Sequence, residues 1–285
     1  MEVLKQYIKS LKWKEKKGVK SLGIYSHNKQ LVFVDTTGAI GAGGKKVDTI
    51  IQVDKYSRIN SDISTKPFIT LEQLLKFGSL IFAYNEPSRT VPILGWVAGC
   101  FIKAHLKRYE SKYPHLFLIG ESGGGKSSTL EFIILKMFSI KKVGASNHVT
   151  QFTLMSESNS SNIIPQVFDE FKPSEMPPKV KHIFFSHLRD TYDMHEGERG
   201  NANQTVRTYE LLAPMLVSGE QCTGQTAIRA RTIEILFSPK ETEGNEEYSN
   251  AFNAIKKNPI LGAFGRTLLD VALQTTTERR RRSEE

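Results

Sequence analysis

The run Gly120-Glu-Ser-Gly-Gly-Gly-Lys126-Ser127 constrains this chain more than any other stretch. It fits the pattern G-x-x-x-x-G-K-[ST]. His115 to Ile119, just before it, is short and apolar, as a buried strand is. Behind it, Leu130, Ile133, Ile134, Met137 and Phe138 recur at helical spacing. Strand, glycine-rich loop and helix, in that order, is the context the pattern requires. The residue types follow from phosphate chemistry. Backbone N–H groups in a tight loop and at a helix start can wrap a concentrated negative charge. Gly123, Gly124 and Gly125 let the backbone come close and take positive φ. A glycine-rich turn that happens to carry a lysine is the competing reading, and the flanks argue against it.

The expected ligands are therefore ATP and Mg²⁺. The phosphate cradle spans Gly120, Glu121, Ser122, Gly123, Gly124, Gly125, Lys126, Ser127 and Ser128. Lys126 is expected on the β- and γ-phosphates, and the Ser127 hydroxyl on the metal.

The chain of 285 residues is 39% hydrophobic and 24% charged, which suits a globular protein holding one large or two modest domains. No apolar run reaches membrane-spanning length, and Met1 to Gln6 lacks the apolar core of a signal peptide. Cys100 and Cys222 match no metal or redox spacing. The expectation is a cytoplasmic protein with no membrane partner. A net charge of +9 favours a polyanionic partner, nucleic acid above all. Lys9 to Lys20 and Arg279 to Arg282 supply two basic clusters, the second read as a solvated tail. The seven histidines are scattered, and His182 and His187 are five apart, which is wrong for one helical face.

Along the chain, residues 1–20 predict a short helix and residues 22–35 two strands around a turn at Ser26 to Lys29. Thr37 to Lys46 resembles a second phosphate loop but has Ala39 where glycine should be and no hydroxyl after the lysine. It reads as a glycine-rich hairpin, with a strand over 47–53. Helices are expected over 70–83 and 90–108, with Pro92 in the first turn of the second. Val149 to Ser156 is open between strand and helix.

Ile163 to Phe168 reads as a strand running into Asp169-Glu170, with Pro165 near its start. An acidic pair at such a place suits ATP hydrolysis: Asp169 to hold Mg²⁺ through water, Glu170 to polarise the attacking water. A helix over 179–192 and a polar loop over 195–203 follow. Leu211 to Val217 reads as a buried strand with Ser218 at its tip, either a γ-phosphate sensor or part of an ordinary turn. Arg229 and Arg231 precede another strand, as arginine fingers serving a neighbouring subunit or as surface ion pairs. Glu241 to Glu247 reads as an acidic loop. Residues 248–274 read as helical, broken at Pro259 and Gly262, with Arg266 opening the last helix and reaching back to the nucleotide.

From Trp96 to Arg266 the chain resembles the AAA+-like, superfamily 3-type helicase ATPase modules of replication proteins from bacterial mobile elements, which are often labelled primase or helicase. Phe117 to Glu131, Val167 to Pro173, Leu188 to Asp193, Gly197 to Gly200, Val217 to Glu220 and Ala230 to Glu234 carry the resemblance. It implies an α/β fold: a P-loop parallel sheet flanked by helices, with an Asp-Glu strand, a sensor strand, an arginine finger and a small C-terminal helical lid. It also implies a homo-oligomeric ring, often hexameric, with ATP between subunits. In related helicases a hairpin before the sensor strand grips DNA. The segment from His195 to Arg207 stands there in the order, which makes Arg199 and Arg207 the phosphate-contact candidates. The match leaves residues 1–90 unexplained. No zinc ribbon and no acidic cluster of primase type is present.

The domain expectation is an α+β accessory region over 1–90, a P-loop core over 91–240, and a lid with a basic tail over 241–285. The functional expectation is an ATP-hydrolysing DNA motor, a replicative helicase or translocase acting on single-stranded DNA, with primase or other replication proteins as partners. The alternative is a nucleotide-switched loader, or a defence-type regulatory ATPase that unwinds nothing. A small-molecule kinase ranks third, because no acceptor site is evident.

Overall fold

The structure is a computed structural model that describes residues 2–10, 14–53, 58–106, 111–140, 144–146, 149–200, 206–242 and 244–275. The basic tail Arg279 to Arg282 lies outside the described residues, as do residues 107–108 of the predicted second helix and 201–203 of the predicted loop.

The first part of the chain runs α1 (Glu2–Ser10), β1 (Lys17–Val19), β2 (Gly23–His27), β3 (Gln30–Asp35), β4 (Gly38–Gly41) and β5 (Ile50–Gln52). β2, β3 and β4 form an antiparallel meander, and β1 pairs with β5 in parallel. Asn28 and Lys29 turn β2 into β3 with positive φ. The glycine-rich stretch does fold back on itself: the Gly41 N–H donates to the Lys45 carbonyl at 2.7 Å and the Val47 N–H to Ala39 at 2.9 Å. Helices α2 (Leu71–Ala83) and α3 (Pro87–Leu106) follow. A capping box between Thr70 and Gln73 starts α2. Pro87 opens α3, so Pro92 lies inside the helix and not in its first turn.

The core is a five-stranded, wholly parallel sheet. Its strands are β6 (His115–Gly120), β7 (Gly144–Ala145), β8 (Gln166–Phe171), β11 (Met215–Gly219) and β12 (Thr232–Phe237), in the order β12-β6-β11-β8-β7. Helices cover both faces. Leu116, Leu118, Leu216 and Val167 turn toward an apolar cluster with Trp96, Ile133, Ile255 and Leu269. Their alternates Phe117, Ile119, Val217 and Phe168 turn toward Phe184, Leu188 and Ile228. Burial on both faces explains why β6 and β11 read as continuous apolar runs with no alternation. Each such side chain withdrawn from water contributes roughly 1.5–3 kcal/mol.

Between strands lie α4 (Lys126–Thr129), a π-helical turn (Leu130–Ile134) and α5 (Leu135–Met137), which together make one helical stretch. The ambiguous segment near 150 is a helix, α6 (Gln151–Ser158), again with a capping box. α7 (Pro178–Tyr192) matches its predicted range. The predicted polar loop is instead β9 (Glu196–Gly200), paired antiparallel with β10 (Val206–Glu210). α8 (Thr226–Arg229), α9 (Pro239–Thr242), α10 (Glu246–Lys256) and α11 (Ile260–Gln274) complete the chain.

Four expectations are corrected here. Leu211 to Pro214 is not strand. The acidic stretch is no continuous loop, since it contributes to the end of α9 and the start of α10. Gly262 breaks nothing, for it lies inside α11. Arg266 is the seventh residue of α11 and does not open it. One apolar cluster joins Leu22, Ile24 and Phe33 near the N-terminus to the sheet and to α10 and α11. Among the described residues no helix is long and apolar enough to cross a membrane.

Candidate functional site

The loop after β6 is shaped by contacts that exclude side chains. Gly120 has φ 147°, and a Cβ there would stand 1.9 Å from the Phe237 carbonyl oxygen of β12. Gly125 holds the left-handed position (φ 89°, ψ 7°) that starts α4. Lys126 is buried, and its ammonium donates to the carbonyls of Gly120 (2.8 Å) and Glu121 (2.6 Å). Burial lowers its pKa, against the opposing pull of Glu220, Asp169 and Glu121.

Parallel strands bring their C-terminal ends to one edge, which is how residues distant in sequence meet there. Asp169 and Glu170 stand beside the loop in the last half of β8. The β8–β11 register slips at this point, pairing Val217 with Phe168 but Gly219 with Phe171. This is a bulge, and Glu170 takes φ 58° within it. The Glu170 N–H donates to Asp169 Oδ1 at 2.9 Å, and Ser146 Oγ donates to the Glu170 carbonyl at 3.1 Å. Gly219 is required opposite, since a Cβ would lie 2.1 Å from the Phe171 carbonyl.

Loop and bulge face each other across a cavity of about 490 Å³. Ser122, Gly123, Gly125, Lys126, Ser127 and Ser128 line one side. Asp169, Glu170, Lys172, Glu175, Gly219 and Glu220 line the rest. Of the predicted cradle, Gly120, Glu121 and Gly124 lie in the loop's frame and not among the lining residues. Lys172, Glu175 and Glu220 were missed by sequence reasoning. Lys172 lies 3.2 Å from Glu220 and 3.8 Å from Glu175, and these carboxylates raise its pKa. The signal was available, because Lys172 and Glu220 sit inside the segments that carry the resemblance. Ser127 and Asp169 offer hard oxygen donors to the same cavity, a set that fits Mg²⁺ shared with phosphate oxygens.

Ser218 is the last residue but one of β11 and does not line the cavity. It lies within β11, fully buried, and its hydroxyl has no hydrogen-bond partner. Arg229, the last residue of α8, and Arg231 both precede the start of β12, at the opposite end of the sheet from the loop. Along β6 that separation is roughly 17 Å, five residues at ~3.3 Å each. Arg229 pairs with Glu234 at 3.2 Å. Arg231 donates to the Ala227 carbonyl at 2.6 Å and lies over the Tyr192 ring. The structure does not bring Arg266 to this cavity. It is buried beside Asp270, with its guanidinium 4.4 Å from the Phe68 ring centroid, and it is not among the residues lining the cavity. The apolar packing of α11 carries it into the core.

Arg199 and Arg207 are directly opposed in the β9–β10 ladder and exposed. Arg199 lies 4.1 Å over the Phe152 ring, and Arg207 lies 5.0 Å over Tyr209. Arg58 also approaches Phe152, at 5.5 Å. Three cations therefore gather over two touching rings, of which Tyr209 is buried.

No family model matches the chain, and no curated protein does. Among solved structures, a JCV helicase bound to an acetamide compound aligns over 71% of this chain at 18% identity and a TM-score of 0.42. The apo C-terminal region of NrS-1 aligns over 99% at 11% identity and a TM-score of 0.46. Another apo structure of that region, 305–718, aligns over 93% at 11% identity and a TM-score of 0.40. The chain spans 55% and 64% of the first two structures' own length.

Proposed function

We propose that the cavity at the end of β6 binds and hydrolyses ATP, and that the chain is the motor module of a nucleic-acid translocase. The observation that carries the reading is convergence: the buried Lys126, the Ser127 hydroxyl, Asp169 and Glu170 line one cavity although helix α4 supplies the first two and strand β8 the others. In the P-loop, AAA+-like reading the loop N–H groups and Lys126 hold the β- and γ-phosphates. Lys126 then exchanges the carbonyls of Gly120 and Glu121 for phosphate oxygens. Ser127 and Asp169 hold Mg²⁺, which when bound neutralises phosphate charge. Glu170 takes a proton from the attacking water. For Ser218 to sense the γ-phosphate, nucleotide binding has to bring its buried hydroxyl to the cavity, whose wall is formed by its neighbour Gly219.

Arg229 and Arg231 are too far from their own cavity to serve it. That distance supports a role in a neighbouring subunit's site, and so a ring in which each cavity is completed in trans, working beside a primase or other replication protein. Arg199 and Arg207 supply phosphate contacts on the β9–β10 hairpin, and Phe152 and Tyr209 give that surface aromatic backing. The pairing of Arg229 with its own Glu234 favours a second reading, a nucleotide-switched assembly module, in which assembly would have to break that pair first.

The test is ATP turnover by the purified chain with and without single-stranded DNA, beside Lys126→Ala. Stimulation by DNA that is lost in the variant supports the motor. Turnover indifferent to DNA supports the switch, and absence of turnover and of ATP binding removes both.

A further inference from the structure

A second cavity, of about 400 Å³, is walled by α6, α7 and β9 and shares no lining residue with the first. Its size is that of a small-molecule pocket, roughly 300–1,000 Å³. Leu154, Met155, Ile183 and Leu211 give it an apolar wall. Asp190, Glu196 and Glu198 supply carboxylates, and no lysine or arginine is among its lining residues. β9 lies hard against α6 here, since a Cβ at Gly197 would stand 2.7 Å from Met155 Sδ. Neither the nucleotide reading nor the hairpin arginines make use of this cavity.

One lining residue, His187 of α7, is only 4% exposed. The hydrogen bonds around it fix which ring nitrogen carries the proton. Gln166 Nε2 donates to the Leu154 carbonyl at 3.4 Å and to Glu157 Oε2 at 3.2 Å, so the amide oxygen is the atom that meets His187. His187 Nε2 stands 3.1 Å from that oxygen and must donate to it. Burial lowers the His187 pKa to about 3, so the ring is neutral and Nδ1 is an acceptor. No described residue donates to Nδ1. A buried acceptor without a donor is uncommon and asks for one. Asp190, three residues on along α7, adds acceptors beside it. Ser186 Oγ donates to its Oδ2 at 3.3 Å, and His195 Nδ1 lies 3.6 Å from its Oδ1.

We propose that this cavity binds an aliphatic diamine or polyamine, with one ammonium on His187 Nδ1 and Asp190, methylenes along Leu154, Met155 and Leu211, and a second ammonium at Glu196 and Glu198. The carboxylates and the free ring nitrogen accept and do not donate. They call for a ligand that only donates, and an ammonium has three N–H donors and no acceptor. Anions are repelled. A metal ion is not served, because among the described residues no three His, Cys, Asp or Glu side chains are grouped to hold one. The apolar wall favours a cation with a carbon chain over a hydrated ion. The inference is independent of the nucleotide reading. It ties α7 to β9, the strand that carries Arg199.

The test is calorimetric titration of the full chain with cadaverine, near pH 8, where exposed histidines are neutral and amines charged. Excess Mg²⁺ screens diffuse attraction. Pentanediol is the neutral ligand of the same length, and N-acetyl-lysine amide carries a single ammonium on a similar stem. Cadaverine is expected to bind at least about tenfold tighter than the diol and about fivefold tighter than the lysine amide. Asp190→Asn, which keeps the shape, weakens cadaverine by about tenfold. His187→Gln, which can still donate to Gln166, weakens it by about fivefold, the weight of one hydrogen bond. Asp169→Asn, in the other acidic cavity, leaves it unchanged. Cadaverine that does not bind, or binds no better than the diol, overturns the proposal. So does an equal response to Asp169→Asn and Asp190→Asn, which marks a diffuse acidic surface. A lysine amide that binds as tightly as cadaverine overturns it in favour of a protein lysine as occupant.

Discussion

Glu170 stands across the β8–β11 ladder from Ser218, where the register slips, and it does so with φ at 58°. For a residue with a Cβ this conformation costs on the order of 1–2 kcal/mol. Such strain is tolerated when the surroundings over-determine it, and here Ser146 and Asp169 both hold the Glu170 backbone. Glu170→Gly should therefore raise stability in urea by about 1 kcal/mol while cutting ATP turnover ~100-fold or more. Glu170→Gln should keep ATP binding and lose turnover. A Glu170→Gly protein that is less stable than wild type would show that the carboxylate, not the backbone, sets the balance.

Ser218 presents the reverse case, a side chain out of place with an unremarkable backbone. Its buried hydroxyl lacks a partner. In the absence of nucleotide, Ser218→Ala should leave stability unchanged or raise it by up to about 1 kcal/mol, since an unsatisfied group is removed. Turnover should fall if the hydroxyl meets the γ-phosphate. Thermal unfolding with and without ADP, set beside turnover, reads both effects.

Arg229 has a side chain 59% exposed in its pair with Glu234. An exposed pair is worth little, so Arg229→Ala should leave the denaturant midpoint essentially unchanged. Turnover at assembling concentrations should drop by ~1,000-fold with ATP binding intact. Mixing Arg229→Ala with Lys126→Ala should restore part of it, because some interfaces then combine a sound loop with a sound arginine. No recovery on mixing would be incompatible with service in trans.

Two buried histidines set an acid limit. Burial lowers His115 to about 4, against its hydrogen bond to the Leu188 carbonyl, and lowers His187 to about 3. Both are neutral in the folded chain while the unfolded chain takes up protons near 6.5. The unfolded state binds more protons below that value, so stability is lost as pH falls from about 6.5 toward 4. His115 alone accounts for a loss on the order of 3 kcal/mol. Denaturant midpoints measured from pH 7 to pH 4 should fall steadily, and His187→Gln, which can still meet Gln166, should flatten the slope.

Features set within a few residues along the chain were legible in the amino-acid order alone. Gly120 to Ser127 declares its loop because strand, glycines and helix start are consecutive, and α2 and α7 match their expected ranges because amphipathic spacing and end signals are local. The two-faced burial of β6 was legible for the same reason.

Whatever depends on register and on which elements touch emerged with the packed fold. Residues 196–200 became a strand because β10 pairs with them, a partner that short polar stretches do not announce. The bulge at Glu170 exists because β8 and β11 meet one residue out of step. Ser218 is buried, Arg229 is paired and Arg266 is carried into the core by neighbours distant in sequence. A smaller cavity that brings Tyr84 beside Phe252 joins two helices separated by the whole sheet domain. Spacing records the period of a helix or strand, but the free energy of burial is shared among whole faces. Which residue of a face meets a ligand, a partner or the core is settled only when those faces close on one another.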